Sequence, residues 1–208
     1  MDAVIFDLDG VLIDSEQVWD EVRQSFAAAH GGVWTPEATR AMQGMSTPEW
    51  AAYLVSLGVR LSAEEVSAGV IAEMQKAYAE HLPVLPGAAE AVQAVASRFP
   101  VAIASSAPLV LIRVFLDVTG LPVPVAVSSE SCAAGKPSPD VYLAAASQLG
   151  VAPESCYAVE DSTNGLKAAL TAGMTVLAVP NPHFPPAADV LAQVRVLGSI
   201  ADLPGALA

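Results

Sequence analysis

Short apolar runs alternate with helical patterns along the second half of the chain, at 101–105, 123–128, 156–160 and 175–180. Near-continuous apolar runs of this length are typical of strands buried on both faces, and strands that alternate with helices form a parallel sheet. A further run at 3–8 adds a strand near the start of the chain. The pattern predicts an α/β fold with a doubly wound, Rossmann-like parallel sheet. The intervening helices are predicted at 108–118, 139–149 and 164–173.

The stretch 15–82 interrupts this alternation and contains helical patterns only. We therefore predict an α/β core formed by 1–14 and 83–208, with an inserted all-helical cap domain at 15–82. Thr47, before Pro48, and Ser62 are the predicted N-caps of two helices of the insert. A Pro-rich segment at 180–186 is predicted as a loop after a strand. The helices of the insert are predicted at 15–30, 36–42, 48–57 and 63–81.

Composition narrows the classes of partner. The chain has 208 residues, of which 53% are hydrophobic, so it can bury a sizeable core. Nine basic against 22 acidic residues give a net charge of −13, which disfavours nucleic acid and anionic membranes as partners. No secretory leader, membrane span or disulfide framework is recognisable. We therefore expect a cytoplasmic protein, and nothing in the sequence indicates an obligate assembly, so a monomer is expected.

Acidic residues follow two of the predicted strands. The first predicted strand ends in Asp7 and Asp9, and a later one ends in Glu160 and Asp161. Because the carboxyl ends of parallel strands meet at one edge of the sheet, these four acids are expected to gather there. Clustered carboxylates repel one another unless a cation lies between them, and oxygen ligands favour a hard cation. The pattern predicts a Mg²⁺ site formed by Asp7, Asp9, Glu160 and Asp161.

Ser105, Ser106 and Lys136 are the candidate anion-binding residues. Ser105 alone is equally typical of a turn or a helix cap, and Lys136 alone is typical of a surface lysine. Beside a cation site, a serine hydroxyl with its following N–H groups is a good phosphate cradle. Lys136, at a loop facing the same edge, would neutralise both a phosphate and an aspartate nucleophile. The predicted ligand is a small phosphorylated metabolite.

Taken together, these residues resemble the haloacid dehalogenase-like (HAD) superfamily, in the branch with a helical cap inserted after the first motif. "FDLDGVLIDS", "IASS", "GKPSPD" and "VEDSTNG" match its four motifs in order, over essentially the whole chain. The forms of the last two motifs further resemble the β-phosphoglucomutase-like and sugar-phosphatase group.

The resemblance implies a Mg²⁺-dependent phosphatase of small phosphomonoesters, with sugar phosphates as the expected class of substrate. Asp7 would be the nucleophile that forms an aspartyl-phosphate, and Asp9 the general acid and base. Ser105 and Lys136 would hold the transferring phosphoryl group. Asp161 would bind Mg²⁺ together with Asp7 and the backbone carbonyl of Asp9, and Glu160 would support the metal.

Other functions share some of these features. A phosphomutase of the β-phosphoglucomutase type has the same core motifs, but such mutases carry a histidine where this chain has Trp19 and an arginine where it has Thr47. A receiver-type signalling domain also combines acids, Mg²⁺, Ser or Thr and Lys, but the D-x-D spacing and the helical insert argue against it. A catalytically silent phosphosugar sensor is disfavoured because every catalytic position of the family is present.

Overall fold

The computed structural model describes residues 1–42, 45–181 and 185–207. Two compact units emerge from its backbone: a core unit, Met1–Asp14 with Leu82–Ala208, and an insert, Ser15–His81. The core unit contains strands β1–β6 and helices α5–α10, and the insert contains helices α1–α4. The strands are β1 Ala3–Phe6, β2 Val101–Ser105, β3 Val125–Ser128, β4 Cys156–Glu160, β5 Thr175–Ala178 and β6 Arg195–Val196. The helices are α1 Glu16–Ala29, α2 Pro36–Met42, α3 Thr47–Ser56, α4 Ala63–Glu80, α5 Ala88–Ala96, α6 Leu109–Thr119, α7 Asp140–Leu149, α8 Thr163–Thr171, α9 Ala188–Leu191 and α10 Leu203–Ala206.

Within the described residues, the six strands form one parallel sheet in the order β3-β2-β1-β4-β5-β6. β1 and β2 are completely buried, as expected for strands covered by helices on both faces. α7 packs on β1, β2 and β3, and α8 packs on β4 and β5. The predicted doubly wound parallel sheet is confirmed.

The strand order explains where polar residues converge. The order of the sheet changes direction between β1 and β4, which is the point where ligands bind in open α/β sheets. Phe6 pairs with Val159, and the N–H of Asp7 donates to the carbonyl of Val159 at 2.9 Å. Asp7 and Glu160 therefore leave their strands side by side.

The insert consists of helices in its described part. α4 packs against α1 and α3, and its buried face repeats at helical spacing through Val66, Val70, Met74 and Tyr78. Among the described residues of the whole chain, no helix combines the length and apolar character needed to cross a bilayer.

Helix caps in the insert agree with the sequence in one case and differ in another. Ser62 caps α4 as predicted, accepting the N–H of Glu65 at 3.2 Å. The predicted cap Thr47 is wrong, because Ser46 is the N-cap of α3 and Thr47 is its first helical residue. Ser46 is the cap because Glu49 stands three residues later, and the carboxylate of Glu49 accepts both the N–H and the hydroxyl of Ser46, at 2.7 and 2.6 Å.

The predicted ranges of β2, β4 and α2 match the structure, and the other predicted strands and helices differ from it at their ends. β1 stops at Phe6, before Asp7. The sequence pattern does not predict α5, α9, α10 or the two-residue β6. The loop predicted at 180–186 lies partly outside the described residues.

The two segments of the core unit that precede and follow the insert pair with each other. There, residues 12–14 lie antiparallel to 83–85: the N–H of Asp14 donates to the carbonyl of Pro83, and that of Leu85 to the carbonyl of Leu12, both at 2.9 Å. Leu82 belongs to the core unit, one residue earlier than the predicted boundary.

Candidate active site

Lys136 is the centre of a buried charge cluster at the carboxyl ends of β1, β2 and β4. Its ammonium nitrogen lies 2.9 Å from Asp7 Oδ1 and 2.6 Å from Glu160 Oε1, and it donates to the carbonyl of Ala104 at 3.1 Å. The side chains of Lys136, Asp7 and Glu160 are 5%, 9% and 0% exposed. Buried charges are costly unless they are paired and hydrogen-bonded, and here the ammonium meets three acceptors.

Both oxygens of Glu160 are engaged by donors from the core unit. Oε1 accepts from Lys136 and from the hydroxyl of Tyr142, at 2.6 and 2.9 Å. Oε2 accepts from the N–H of Asp161 at 3.0 Å and from the N–H and hydroxyl of Ser162 at 3.1 and 3.2 Å. A side chain at Gly165 would overlap this carboxylate, so glycine is required there by close approach. The orientation of Glu160 is thereby fixed.

Gly10 makes the corresponding space for Asp161. Its φ of +80° is one that residues with a side chain rarely adopt, and a Cβ there would overlap the carboxylate of Asp161. The turn after β1 is held by backbone hydrogen bonds from Gly10 to Ile13 and from Leu12 to Leu8, at 2.8 and 2.9 Å. The turn after β1 therefore leaves room for the carboxylate of Asp161, which follows β4.

Ser105, the last residue of β2, contacts Asp9. Its buried hydroxyl donates to Asp9 Oδ2 at 3.4 Å and accepts the N–H of Ala107 at 3.0 Å. Ser106 is the exposed residue directly after it. The end of β2 thus presents a hydroxyl and a turn of backbone beside the acids of β1, an arrangement suited to an anion.

The loop that carries Lys136 is held by Asp140, the first residue of α7. Asp140 Oδ2 accepts the N–H of Ala134 at 3.0 Å, and Oδ1 accepts the hydroxyl of Ser138 at 2.9 Å. These two contacts close the loop on either side of Lys136. The lysine is therefore delivered to the cluster by an ordered segment.

Burial and mutual repulsion perturb the titration of the acids. Burial raises the pKa of Asp7 to about 7, with Glu160 and Asp9 adding to the rise and Lys136 opposing it. Burial and the charges of Glu160 and Asp7 raise the pKa of Asp161 to about 9. Burial alone would lower the pKa of Lys136, but Asp7 and Glu160 outweigh it and hold that pKa above its usual value. The cluster has more negative charge than Lys136 neutralises.

The donor set fits a hard cation. Asp7, Glu160 and Asp161 each offer a carboxylate oxygen, these oxygens lie within 4.8 Å of one another, and all three residues are buried. Oxygen ligands of this kind suit Mg²⁺, and a cation here would lower the raised pKa values of Asp7 and Asp161. Asp9 is outside this set of side chains.

Comparison with known proteins identifies the family. The model of the haloacid dehalogenase-like hydrolases matches residues 1–173. The chain belongs to this family. It is 34% identical over 180 residues to the phosphorylated carbohydrates phosphatase of Thermotoga maritima, covering 84% of this chain and 82% of that protein. It is 35% identical over 189 residues to hexitol phosphatase B of Escherichia coli, covering 87% and 84%.

Among solved structures, CbbY of Rhodobacter sphaeroides in complex with phosphate superposes with a TM-score of 0.85, at 26% identity, over 98% of this chain and 96% of that one. These comparisons confirm the predicted HAD family, the hydrolase class and phosphomonoester hydrolysis as its activity.

The structure brings most of the predicted site residues together. Asp7, Lys136, Glu160 and Asp161 form one cluster, and Ser105 contacts Asp9. The sequence analysis did not single out Tyr142, Gly10 or Gly165. The signal for Tyr142 is chemical, since a buried tyrosine needs a partner for its hydroxyl, but the identity of that partner depends on the tertiary fold.

Proposed function

We propose that this protein is a Mg²⁺-dependent phosphatase that hydrolyses small phosphomonoesters, sugar phosphates above all, through an aspartyl-phosphate on Asp7. The observation that carries the proposal is the buried contact of Asp7 with Lys136 beside Glu160 and Asp161, at the switch point of the sheet. A nucleophile, a fixed cation and spare negative charge for a metal are the parts that phosphoryl transfer needs.

In the first step, a carboxylate oxygen of Asp7 attacks the phosphorus, and the bond between phosphorus and the ester oxygen breaks. Asp9 donates a proton to that leaving oxygen, so the alcohol departs neutral. The contact of Asp9 with the Ser105 hydroxyl supports this role, because it holds the acid near the residue proposed to bind the phosphoryl group.

In the second step, Asp9 takes a proton from water as the water oxygen attacks the same phosphorus. The bond between phosphorus and Asp7 breaks, which releases inorganic phosphate and restores the carboxylate. Ser105, Ser106 and Lys136 hold the phosphoryl oxygens throughout, and Lys136 also lowers the pKa of Asp7, which favours the ionised nucleophile. Asp7, Asp161 and the backbone carbonyl of Asp9 would hold Mg²⁺, with Glu160 in support, and the bound ion would supply positive charge that offsets the charge of the phosphoryl group.

Hydrolysis is favoured over mutase activity by the chemistry of the insert. A mutase must hold a second phosphate, which requires basic groups that are available. The insert has Trp19 and Thr47 where such mutases carry a histidine and an arginine, and its nine acidic residues outnumber its four basic ones. The known activities of the similar proteins, on phosphorylated carbohydrates and hexitol phosphates, support a sugar phosphate as substrate.

The remaining expectations are also part of the proposal. Cys132 and Cys156 are both free thiols, which supports a reducing compartment, and the cytoplasm is the compartment proposed. The chain is proposed to act as a monomer on a small phosphorylated metabolite, with the insert, as a cap, selecting the leaving group.

The first test is release of phosphate from p-nitrophenyl phosphate with and without Mg²⁺, followed by a screen of phosphorylated metabolites that reports kcat/KM. We expect turnover with Mg²⁺, none in excess chelator, and inhibition by Ca²⁺, because Ca²⁺ accepts more ligands at longer distances. Full activity in chelator would overturn the metal assignment, and a single turnover without release would indicate a receiver-like protein.

The second test supplies β-glucose 1-phosphate with a trace of the 1,6-bisphosphate and follows both products. Free phosphate is the expected product. Glucose 6-phosphate formed faster than free phosphate would establish the mutase in place of the phosphatase.

A further inference from the structure

Tyr142 is a buried polar residue to which the mechanism assigns no part. It lies on α7, is 0% exposed, and faces the charge cluster rather than a purely apolar interior. Its hydroxyl donates to Glu160 Oε1 at 2.9 Å, and its ring centroid lies 5.0 Å from the ammonium nitrogen of Lys136. One side chain therefore touches both partners of the shortest ion pair in the cluster.

The two contacts restrict different atoms. The hydroxyl fixes the position of Glu160 Oε1, the same oxygen that receives Lys136 at 2.6 Å. The ring covers the ammonium with an apolar face, which attracts a cation and keeps water away from it. Lys136 is consequently held where its third contact is Asp7, at 2.9 Å.

Among the described residues, Oε1 of Glu160 accepts hydrogen bonds from Lys136 and Tyr142 and from no other donor. Ser162 and the N–H of Asp161 bind Oε2, and the position of Gly165 leaves room for the carboxylate without donating to Oε1. Without the hydroxyl of Tyr142, Lys136 would be left to position Oε1 of Glu160 while also holding Asp7. A flexible four-carbon side chain is poorly suited to that task.

We propose that Tyr142 is a positioning residue of this enzyme, which holds Glu160 and Lys136 so that Asp7 and the metal ligands are aligned for phosphoryl transfer. The inference rests on the proposed function for its kinetic consequence, but its effect on metal binding does not. Because Tyr142 is fully buried, it acts through its neighbours and does not touch the substrate.

The test compares Tyr142→Phe, which keeps the ring and removes the hydroxyl, with Tyr157→Phe, a matched change on the neighbouring strand β4. For Tyr142→Phe we expect weaker Mg²⁺ binding by calorimetry and a lower kcat, each by about ten- to hundredfold, as for other partners of metal ligands. KM should change little, since no substrate contact is removed. Tyr157→Phe should match the wild type in all three quantities.

Wild-type Mg²⁺ affinity and kcat in Tyr142→Phe would overturn the inference, and so would a loss confined to thermal stability, which a merely structural residue would give. An inactive wild type would instead overturn the proposed function, while the Mg²⁺ titration would still test Tyr142.

A second measurement needs no substitution at Tyr142. In wild-type protein labelled with 3-fluorotyrosine, the ¹⁹F resonance of residue 142 is identified by replacing the other tyrosines in turn with Phe. Saturating Mg²⁺ should shift this resonance and leave that of Tyr157 in place. A resonance of residue 142 that does not move would overturn the inference even if Tyr142→Phe failed to fold.

Discussion

Two lysines of this protein form ion pairs of nearly equal length in very different surroundings. Lys136, in the core unit, lies 2.6 Å from Glu160 with 5% of its side chain exposed, whereas Lys76, in the insert, lies 2.8 Å from Glu73 with 67% exposed. An exposed pair gains little, because water and salt screen it, but one partner of a buried pair cannot be removed without leaving a charge uncompensated. The two ion pairs therefore differ in burial and not in distance.

The same contrast extends to the two units. In the core unit, acids are drawn into the protein at the ends of β1 and β4, where burial raises the pKa of Asp7 and Asp161. In the insert, acids such as Glu49 and Glu65 remain in solvent and cap helices, and their hydrogen bonds to Ser46 and Ser62 lower their pKa values. The buried acids of the core unit lie in the proposed active site, whereas the exposed acids of the insert stabilise the starts of helices.

The largest expected effect comes from Asp7→Asn. It removes the proposed nucleophile, so we expect turnover of p-nitrophenyl phosphate to fall below detection while the free energy of unfolding is unchanged or higher, because a costly buried charge is lost. Asp117→Asn, at an exposed position of α6, is the control and should retain wild-type turnover. Retention of more than about a hundredth of the wild-type rate would contradict covalent catalysis by Asp7.

The second prediction tests the comparison of the two lysines directly. Lys136→Met leaves Asp7 and Glu160 without their cation and should lower the free energy of unfolding by about 3–5 kcal/mol. Lys76→Met removes an exposed pair and should change it by about 0–1 kcal/mol. Urea unfolding followed by circular dichroism measures both. Equal losses of unfolding free energy in the two variants would show that burial does not determine how much each ion pair contributes to stability.

The third prediction concerns pH and Mg²⁺. Asp7 and Asp161 have folded pKa values of about 7 and about 9, raised from the ordinary aspartate value of 3.8. In metal-free protein their contribution to stability is therefore fully present below about pH 4 and is lost as the pH rises from there through about 7 and about 9, because the unfolded chain releases these protons first. Mg²⁺ binds the ionised carboxylates. It should therefore raise Tm more at about pH 9 than at about pH 6, by about 5 °C.

Thermal unfolding with Mg²⁺ and with chelator at each pH gives the two increments. Asp161→Asn should remove most of the difference between them. Equal increments in the wild type would contradict a metal site built on these two acids.

The smallest effect is expected in the insert. Ser62→Ala removes the N-cap of α4 and should cost about 1 kcal/mol. Ser67→Ala, inside the same helix, is the matched control and should be neutral or slightly stabilising, because alanine is the better helix former. Chemical unfolding of the two variants measures the difference. A larger loss of unfolding free energy in Ser67→Ala than in Ser62→Ala would show that the N-cap is not what stabilises α4.

The sequence was sufficient to predict those features that depend on local pattern. Apolar runs of strand length located β2 and β4 to the residue, and acids placed at the ends of such runs meet because parallel strands share one edge. Ser62 was predictable as a cap because Glu65 stands at the required spacing. The same spacing from Ser46 to Glu49 was the better signal for α3, but the proline after Thr47 favoured the wrong residue.

Features that depend on tertiary contact were not predictable. Tyr142 and Glu160 are 18 residues apart, and Tyr142 follows the apolar spacing of its helix, so the pattern indicates only a core residue. Gly10 and Gly165 matter because the carboxylates of Asp161 and Glu160 occupy the space where a Cβ would be. Nothing local in the sequence states which atoms approach a glycine.

The antiparallel contact of 12–14 with 83–85 has a consequence for how enzymes of this kind diversify. The core unit itself joins the two points where the chain leaves and returns, through hydrogen bonds of 2.9 Å between Asp14 and Pro83 and between Leu85 and Leu12. Since the cost of closing a loop grows only slowly with its length, a segment spliced between such points can be long or short at little expense to the sheet. Recombination can therefore exchange whole inserts while the phosphoryl-transfer residues keep their register.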